Sequence, residues 1–412
     1  MGLSGTPAVA QGVPVVPGQE AGVTLALHVA TEQWRAHAAA VVAGVAATGP
    51  DAAAVAVVKG NGYGFGQLLL ASRARQLAPG PIAVGTVAEA AELLAAEPDI
   101  DVVILEPVDH QDITALPADR TVCTVASVTG LLAAAERGGR IVVEGLTSTH
   151  RFGMDEAELA EGLARRPVAA ALAAGRLTID GLALHLPIAQ PTGPRRPTAT
   201  TRRELDPDSW QAATPRAREA MAWGWWWTQV LDRLGLPEPA RRRANVVWLS
   251  HLADSELAAV GQALPAAALR ARLGTRLWLQ DKESLRVSAT VAAVHPVDSV
   301  ETVGYRQRPG PRGATLVVVS GGTRHGVGLA APAAARSWRQ RATAAGSGAL
   351  QATGRAMSPF RWQGRRLWYA EPPHLSVSLL WVPRGVVVPA VGDELDCTVR
   401  FTTTTFDAVV WE

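Results

Sequence analysis

Short apolar runs alternate with longer amphipathic segments over the first two thirds of the chain. Eight of the runs have the length and the Val, Ile, Leu and Ala content of buried strands. Segments with a helical spacing of Ala, Leu and Glu, such as VAEAAELLAAE and VTGLLAAAER, lie between them. The eight strand candidates are AVAVV (54–58), IAVG (82–85), DVVILE (101–106), TVCTV (121–125), IVVEGL (141–146), IDGLALHL (179–186), NVVWLS (245–250) and LRARLG (269–274). This alternation predicts a (β/α)8 TIM-like barrel, an α/β fold, with a doubly wound sheet as the structural alternative.

The pattern changes after about residue 285. Strand-like runs then follow one another closely with few long helices, which predicts a mostly β domain at 286–412 after a barrel at 23–285. Residues 1–22 have no periodic pattern, and we expect a flexible leader there.

A segment rich in Pro, Thr and Arg interrupts the barrel pattern and predicts a flexible insertion at about 188–215. Its arginine pairs fit a solvated loop better than a site for an acidic partner. The Trp-rich segment that follows predicts a helix, and core packing is favoured over a platform for stacking nucleic-acid bases.

Composition excludes several classes of protein. The 412 residues are 48% apolar and 18% charged, which does not fit a chain disordered throughout. The net charge of +2 gives no support for nucleic-acid binding. Cys123 and Cys397 are too few for a disulfide framework and lack metal-ligand spacing, so we expect no metal site. Because no secretory signal and no membrane-spanning apolar run is found, we expect a soluble cytoplasmic protein without a membrane partner.

The sharpest local signal is VVKGNGYGFG at 57–66. Lys59 follows the first barrel strand, where such barrels place their active sites, and the chain has only one other lysine, Lys282. A desolvated lysine amine loses its proton readily and becomes a carbonyl nucleophile. The glycines allow close approach of a bound group, and Tyr63 offers a hydroxyl to a phosphate. A strand-end lysine is more often a surface residue, but the scarcity of lysine favours a functional one.

This motif resembles the cofactor-lysine motif of the alanine racemase family, the barrel-type (fold-type III) pyridoxal phosphate enzymes. The resemblance covers about residues 24–320 and continues more weakly to the end. It implies that Lys59 holds pyridoxal 5′-phosphate covalently and acts as one of two catalytic bases. It also implies that Tyr63 binds the cofactor phosphate.

Segments at other strand ends resemble the same family. TSTHRFGM implies that Arg151 approaches the phenolic oxygen of the cofactor, and LALHLP implies that His185 lies beside its pyridine ring. SHLADSEL and RARLGT imply that the phosphate is bound by the Ser255 hydroxyl and by the main-chain amides of Gly274 and Thr275.

Two further residues in this resemblance bear on the reaction. RARLGT places Arg272 at the pyridine nitrogen, and a guanidinium, being always protonated, does not stabilise a pyridinium. A neutral ring is a poorer electron sink, so Arg272 favours racemisation over decarboxylation. ETVGYRQRPG resembles the segment with the catalytic tyrosine, which implies that Tyr305 is the second base, although spacing alone indicates a β-turn residue. Its pKa must be lowered by positive neighbours.

The sequence departs from the family at five positions. Glu144 stands where many members have a carbamate-modified lysine, and it could supply a similar negative charge. Asp254 replaces an asparagine before the serine. Thr323 replaces a phosphate-reaching tyrosine, and Leu375 and Ser376 replace a Met-Asp pair near the substrate. Cofactor binding is therefore expected to be intact and the substrate pocket altered.

These features lead to the prediction of a pyridoxal phosphate-dependent racemase acting on alanine or another small amino acid. D-alanine supply for peptidoglycan is the implied role, and a homodimer with shared active sites is the implied assembly. Another pyridoxal phosphate reaction, decarboxylation or D-amino-acid elimination, is an open alternative. A non-catalytic pyridoxal phosphate-binding regulator or carrier is the other, because the altered β-domain motifs permit it.

Overall fold

Most strands between residue 25 and residue 279 are followed by one or more helices. The computed structural model describes Gly22, residues 24–190, 207–298 and 300–329, Ala342 and residues 356–412. The helices are α1 (Thr31–Ala46), α2 (Gln67–Leu77), α3 (Val87–Ala96), α4 (Val128–Arg137), α5 (Glu156–Ala164), α6 (Arg166–Ala173), α7 (Pro207–Ala212), α8 (Pro215–Leu234), α9 (Glu238–Ala244), α10 (Asp254–Ala263) and α11 (Thr275–Leu279). The strands among them are β1 (Leu25–Val29), β2 (Ala52–Ala56), β3 (Ile82–Val84), β4 (Val102–Ile104), β5 (Thr121–Val125), β6 (Gly139–Gly145), β7 (Leu177–Leu184), β8 (Val246–Ser250) and β9 (Ala268–Leu273).

Strands β2 to β9 form one parallel sheet in the order β2-β9-β8-β7-β6-β5-β4-β3. A further parallel bridge between Val57 and Ala83 links the chain after β2 to β3, so the sheet closes almost completely into a barrel. All eight predicted barrel strands are therefore present, within about two residues of their predicted bounds, and the (β/α)8 prediction is confirmed. The barrel lies in a compact unit formed by Arg35–Gly62 and Gln67–Gln280.

The barrel helices begin where the sequence offers a side-chain cap. Thr86 accepts the first-turn amide of Glu89 in α3, and Ser127 does the same for Gly130 in α4. Asp155 and Glu158 form a reciprocal capping box at the start of α5. Such caps satisfy amides that have no partner within the helix, and each stabilises a helix by about 1 kcal/mol.

The second compact unit contains a mixed sheet of eight strands. It comprises residues up to Trp34, Tyr63–Gly66 and Asp281–Glu412. Its remaining strands are β10 (Leu285–Pro296), β11 (Thr302–Val303), β12 (Arg308–Pro309), β13 (Thr315–Ser320), β14 (Met357–Trp362), β15 (Arg365–Tyr369), β16 (Val377–Val382), β17 (Glu394–Cys397) and β18 (Ala408–Trp411). The eight-stranded order is β13-β16-β15-β14-β17-β10-β1-β18, and β11 and β12 form a separate hairpin. The predicted mostly β character after residue 285 is confirmed.

Two segments differ from the sequence expectation. The apolar run of β1 pairs antiparallel with β10 in the second unit, whereas the sequence assigns it to the barrel. The expected flexible insertion at 188–215 includes α7 and the start of α8, so its last part is helical. Residues 191–206 of the insertion, like residues 1–21 and 23 of the expected leader, lie outside the described residues.

Helix α8 contains the Trp-rich segment and packs it into the barrel unit. Trp223 and Trp227 are completely buried, and the Trp227 indole donates to the main-chain oxygen of Ala244 at 2.8 Å. The interpretation of this segment as core is therefore confirmed. Nowhere in the described residues does a helix combine the length and the apolar character that a bilayer span requires.

Candidate active site

The carboxyl ends of the barrel strands bring most of the expected site residues together. In a parallel barrel all these ends lie on one face, where the connecting loops surround a common space. Lys59 follows β2, Glu144 lies near the end of β6, His185 follows β7 and Arg272 lies near the end of β9. The ionisation of each of these four groups is influenced by the charge of at least one of the others.

Lys59 has the environment of a reactive amine. Its side chain reaches solvent, yet desolvation by the surrounding protein lowers its pKa, and the charges of Arg151 and Arg272 lower it further. Glu89 fixes the turn beside it by accepting hydrogen bonds from the amides of Gly60, at 3.1 Å, and Gly85, at 2.6 Å. A lowered lysine pKa increases the fraction of neutral amine that attacks a carbonyl.

Gly85 leaves the space that the lysine stem occupies. A Cβ atom at this position would lie 3.3 Å from the Cβ of Lys59 and 3.1 Å from a carboxylate oxygen of Glu89. Both distances are shorter than ordinary van der Waals contact, so a larger residue would push on the lysine turn.

Arg272 lies inside the barrel near the end of β9. It is 8% exposed, and its Nη2 donates to the main-chain oxygen of Leu184 at 2.7 Å. Its Nε is buried and has no hydrogen-bond partner among the described residues. Burial lowers the pKa of Arg272, and the charge of Glu144 acts in the opposite direction. A buried donor without a partner is costly, so this atom fits a site that an acceptor on a bound molecule completes.

Glu144 provides the negative charge of this group. It is 4% exposed, and its Oε2 has no hydrogen-bond partner in the part of the chain described. Burial raises the pKa of Glu144, while the charges of Arg272 and Arg151 oppose that rise. The departure from the family at this position thus places a carboxylate among the site arginines.

His185 is held in a neutral state. Desolvation, followed by the positive charge of Arg272, lowers the pKa of His185 to about 3. Its ring meets His251 edge to face with centroids 5.1 Å apart, and burial lowers the pKa of His251 as well. Neutral imidazoles beside Lys59 add no positive charge to the site. The site therefore suits a bound ring that is itself uncharged.

Three of the four expected phosphate-binding residues lie at the ends of two adjacent strands. Ser255 is in the first turn of α10 after β8, and Gly274 and Thr275 begin α11 after β9. The Arg276 guanidinium forms an ion pair with Asp254, which ties the starts of the two helices together. Main-chain amides at helix starts and a serine hydroxyl are typical phosphate ligands.

Arg151 and Tyr63 differ in their exposure to solvent and in the compact unit to which they belong. Arg151 is exposed and its guanidinium lies over the Phe152 ring, 4.9 Å from the centroid. Tyr63 is 7% exposed and has a left-handed backbone, φ +56°, in the short turn Gly62–Gly64. By its contacts Tyr63 belongs to the second unit, so it is not among the groups brought together in the barrel unit.

Tyr305 also lies in the second unit, in the turn between β11 and β12. It is 85% exposed, and its ring stacks on His374 with centroids 4.4 Å apart. The Glu371 carboxylate accepts the Tyr305 amide at 3.0 Å and contacts the His374 ring nitrogen at 2.6 Å. The pKa of Glu371 is lowered by these hydrogen bonds against the effect of burial. An exposed phenol is thus held in place by a histidine and a buried carboxylate.

The three altered β-domain positions lie around this cluster. The Thr323 amide donates to the main-chain oxygen of His374 at 2.8 Å, and Leu375 and Ser376 follow His374 directly. Leu375 is 68% exposed. Changes at these positions therefore alter the surface next to Tyr305.

Sequence reasoning missed His251 and Glu89. His251 directly follows β8, so its position at a strand end is the signal that could have identified it. Glu89 lies in the first turn of α3 and no local motif relates it to the Lys59 turn. Its role follows only from the contacts to Gly60 and Gly85.

Comparison with known proteins identifies what this arrangement resembles. Residues 32–221 match a protein-family model described as alanine racemase, N-terminal domain. A search of the curated proteins finds no match.

Solved structures of alanine racemases share the fold over nearly their whole length. The structure from Bartonella henselae, with covalently bound pyridoxal phosphate, has a TM-score of 0.63 and 16% identity, covering 95% of this chain and 100% of that one. The enzyme from D-cycloserine-producing Streptomyces lavendulae has a TM-score of 0.60 and 17% identity, with coverages of 95% and 98%. The enzyme from Corynebacterium glutamicum has a TM-score of 0.60 and 16% identity, with coverages of 94% and 99%.

Proposed function

We propose that the chain is a divergent member of the alanine racemase family and a pyridoxal phosphate-dependent amino-acid racemase, since its residues 32–221 match the model of the family's N-terminal domain and its fold is shared with solved alanine racemases. Its substrate is alanine or another small amino acid. The observation that carries the proposal is the buried Arg272 beside Lys59, with one guanidinium nitrogen still without a partner among the described residues.

The residues of the barrel unit fit pyridoxal phosphate. Lys59 supplies a carbonyl-reactive amine whose pKa is lowered, and Ser255 and the Gly274 and Thr275 amides supply phosphate ligands. Arg272 supplies a buried donor for the ring nitrogen. When bound, pyridoxal phosphate makes the Cα hydrogen of an amino acid acidic.

The chain's own residues then carry the proton transfer. Lys59 Nζ exchanges a proton with the substrate Cα on one face, and the Tyr305 hydroxyl exchanges one on the opposite face. Removal on one side and return on the other inverts the configuration. A guanidinium at the pyridine nitrogen would leave that nitrogen unprotonated, so less charge would be drawn into the ring and Cα would be the carbon that receives the new proton. The same property disfavours decarboxylation.

Tyr305 reaches a barrel site, in this proposal, through a head-to-tail homodimer in which each protomer supplies its tyrosine to the partner. Support comes from its exposure, which leaves the phenol open to a second copy, and from the His374 stack that keeps it ordered. The altered surface around Thr323 and Leu375 supports a changed substrate preference. With alanine as the substrate, the role we propose is D-alanine supply for peptidoglycan.

Incubating purified protein and pyridoxal phosphate with pure L-alanine, and separately with other small L-amino acids, tests the function. We expect the D-enantiomer to accumulate to near equality, and Lys59→Arg to abolish this. A protein that binds the cofactor and racemises none of these amino acids would be a regulator or carrier, or would catalyse another pyridoxal phosphate reaction, and either result would refute the racemase proposal.

A further inference from the structure

Helix α8 places two charged side chains one turn apart on the barrel unit. Thr214 caps its first turn by accepting the Ala217 amide, and Arg216 and Glu219 follow at positions spaced by three residues. Residues with this spacing point from the same side of a helix. Each of the two contacts a different loop that carries an expected site residue.

Arg216 binds the carboxylate of Glu256, the neighbour of Ser255. Its Nη2 lies 2.7 Å from Oε2 and its Nε lies 2.9 Å from Oε1, a bidentate arrangement. Glu256 is 5% exposed and also accepts the Ala253 amide at 2.8 Å, so it fixes the start of α10. Burial raises the pKa of Glu256, but hydrogen bonds from Arg216, the Thr214 hydroxyl, the Ala253 amide and the Gln190 side chain together lower it to about 2.

The same arginine also holds the chain after β7. Its Nη1 donates to the main-chain oxygen of Ile188 at 2.7 Å, three residues beyond His185. One guanidinium therefore joins α8, the segment after His185 and the start of α10.

Glu219 holds the loop of Arg151. It is 2% exposed, and its carboxylate accepts both the amide and the hydroxyl of Ser148, the latter at 2.7 Å. On either side of Ser148, the Thr147 and Thr149 hydroxyls donate to the main-chain oxygen of His185, at 2.6 and 3.1 Å. The backbone leading to Arg151 is therefore fixed from two directions.

Buried charges are costly unless they are paired and hydrogen-bonded. Among the described residues, Arg216 and Glu219 are the only charged side chains of α8 that contact the loops of Ser255 and Arg151. Both therefore carry the free-energy cost of removing a charge from water at these contacts. An apolar residue would pack α8 against the barrel equally well, so packing alone does not account for the charges.

We propose that Arg216 and Glu219 are positioning residues: Arg216 sets the Ser255 loop for a phosphate, and Glu219 sets the Arg151 loop next to Lys59. This inference rests on the proposed function, because it takes pyridoxal phosphate as the bound group. Neither residue touches the reacting atoms. Their roles are separable, since one acts on the phosphate end of the site and the other on the lysine.

The first test compares pyridoxal 5′-phosphate with pyridoxal, which lacks the phosphate. Both bind Lys59 of full-length protein freed of cofactor, and the ratio of their dissociation constants measures the phosphate contribution. We expect Arg216→Ala to reduce that ratio by about tenfold, the worth of one hydrogen bond to a charged group, with pyridoxal affinity nearly unchanged. Where Arg216→Ala does not fold, the double variant Arg216→Gln/Glu256→Gln removes both buried charges and leaves no carboxylate unpaired.

The second test follows the pH dependence of pyridoxal attachment to the same protein. Arg151 lowers the pKa of Lys59, so a displaced Arg151 loop raises that pKa and moves the midpoint of attachment to higher pH. We expect Glu219→Gln to shift the midpoint upward, in the direction of Arg151→Met, and to leave the phosphate ratio unchanged. This variant leaves in place the other charged or titratable groups that act on Lys59 or are acted on by it. These are Arg272, Glu106, Glu89, His185 and His251.

Arg218 supplies the matched control on the same helix. Its guanidinium donates to the main-chain oxygens of Trp210 and Gln211 and contacts neither loop, so Arg218→Ala should change neither readout. If Arg216→Ala and Glu219→Gln change both readouts alike, or neither, the positioning roles are refuted. Wild-type protein that does not bind pyridoxal phosphate at Lys59 would instead overturn the proposed function, and the inference with it.

Discussion

The Arg272 guanidinium donates to the main-chain oxygen of Leu184, the residue that precedes His185. Two adjoining parts of the candidate site are joined by this hydrogen bond, because β9 supplies the arginine and the end of β7 supplies the oxygen. It leaves the Nε of the same arginine directed at no acceptor in the described chain. A cation that keeps a bound pyridine nitrogen neutral needs this orientation.

Replacing Arg272 by glutamate should change the reaction. A carboxylate would protonate the ring nitrogen and make it a better electron sink, so we expect racemisation to fall by roughly tenfold or more and transamination to rise. Visible spectra and assays for D-alanine and pyruvate measure both. Arg270→Glu on the same strand is the control, since Arg270 donates, within the described part of the chain, to the main-chain oxygens of Asp51 and Leu269. Unchanged spectra and rates in Arg272→Glu would place this residue away from the ring.

His185 should make the fold sensitive to acid. Its pKa is about 3 in the folded protein and 6.5 in the unfolded chain, so between these values the unfolded chain binds the extra proton. Stability therefore decreases as the pH falls from 6.5 towards 3, by at most about 1.4 kcal/mol per pH unit for this group. Thermal unfolding of His185→Phe at about pH 7 and pH 5 should show a smaller loss than the wild type. The exposed His295 offers the control His295→Gln, and an equal loss in all three proteins would contradict the assignment.

Most of the barrel and much of its site can be predicted from the sequence, because both depend on local patterns of apolar and polar residues. The eight parallel strands are short apolar runs with helices between them, and a polar residue after such a run falls on the active face, as Lys59 and His185 do. Strand β1 is an equally apolar run, and only its antiparallel partner β10, far along the chain, assigns it to the other sheet. A local pattern holds no information about such a partner.

The contacts that support the site could not be predicted from the sequence for the same reason. Arg216 and Glu256, or Glu219 and Ser148, are brought together by the packing of α8 against loops that lie far away in the sequence. Tyr305 shows the intermediate case, since its spacing indicates the turn that it occupies but not its stack on His374.

A shared active site predicts complementation between two inactive proteins. Lys59→Ala keeps an intact tyrosine and Tyr305→Phe keeps an intact lysine, so a mixed dimer has one intact and one doubly altered site. With free exchange of equal amounts, roughly a quarter of all sites should be active, given two-fold symmetry. D-alanine formation is measured before and after mild denaturation and joint refolding. Exchange of subunits without any recovered activity would mean that the site is built within one chain or that Tyr305 is not the second base.

The position of the cofactor is the claim on which the rest depends, and the two lysines of this chain make it directly measurable. Purified protein is incubated with pyridoxal phosphate, reduced with borohydride and digested, and the labelled peptide is identified by mass spectrometry. Lys282 is exposed and lies in the other unit, so it is a built-in control for nonspecific reaction. We expect a single label on the peptide that contains Lys59, lost in Lys59→Arg and kept in Lys282→Arg. A label on Lys282 alone, or none at either lysine, would contradict the account.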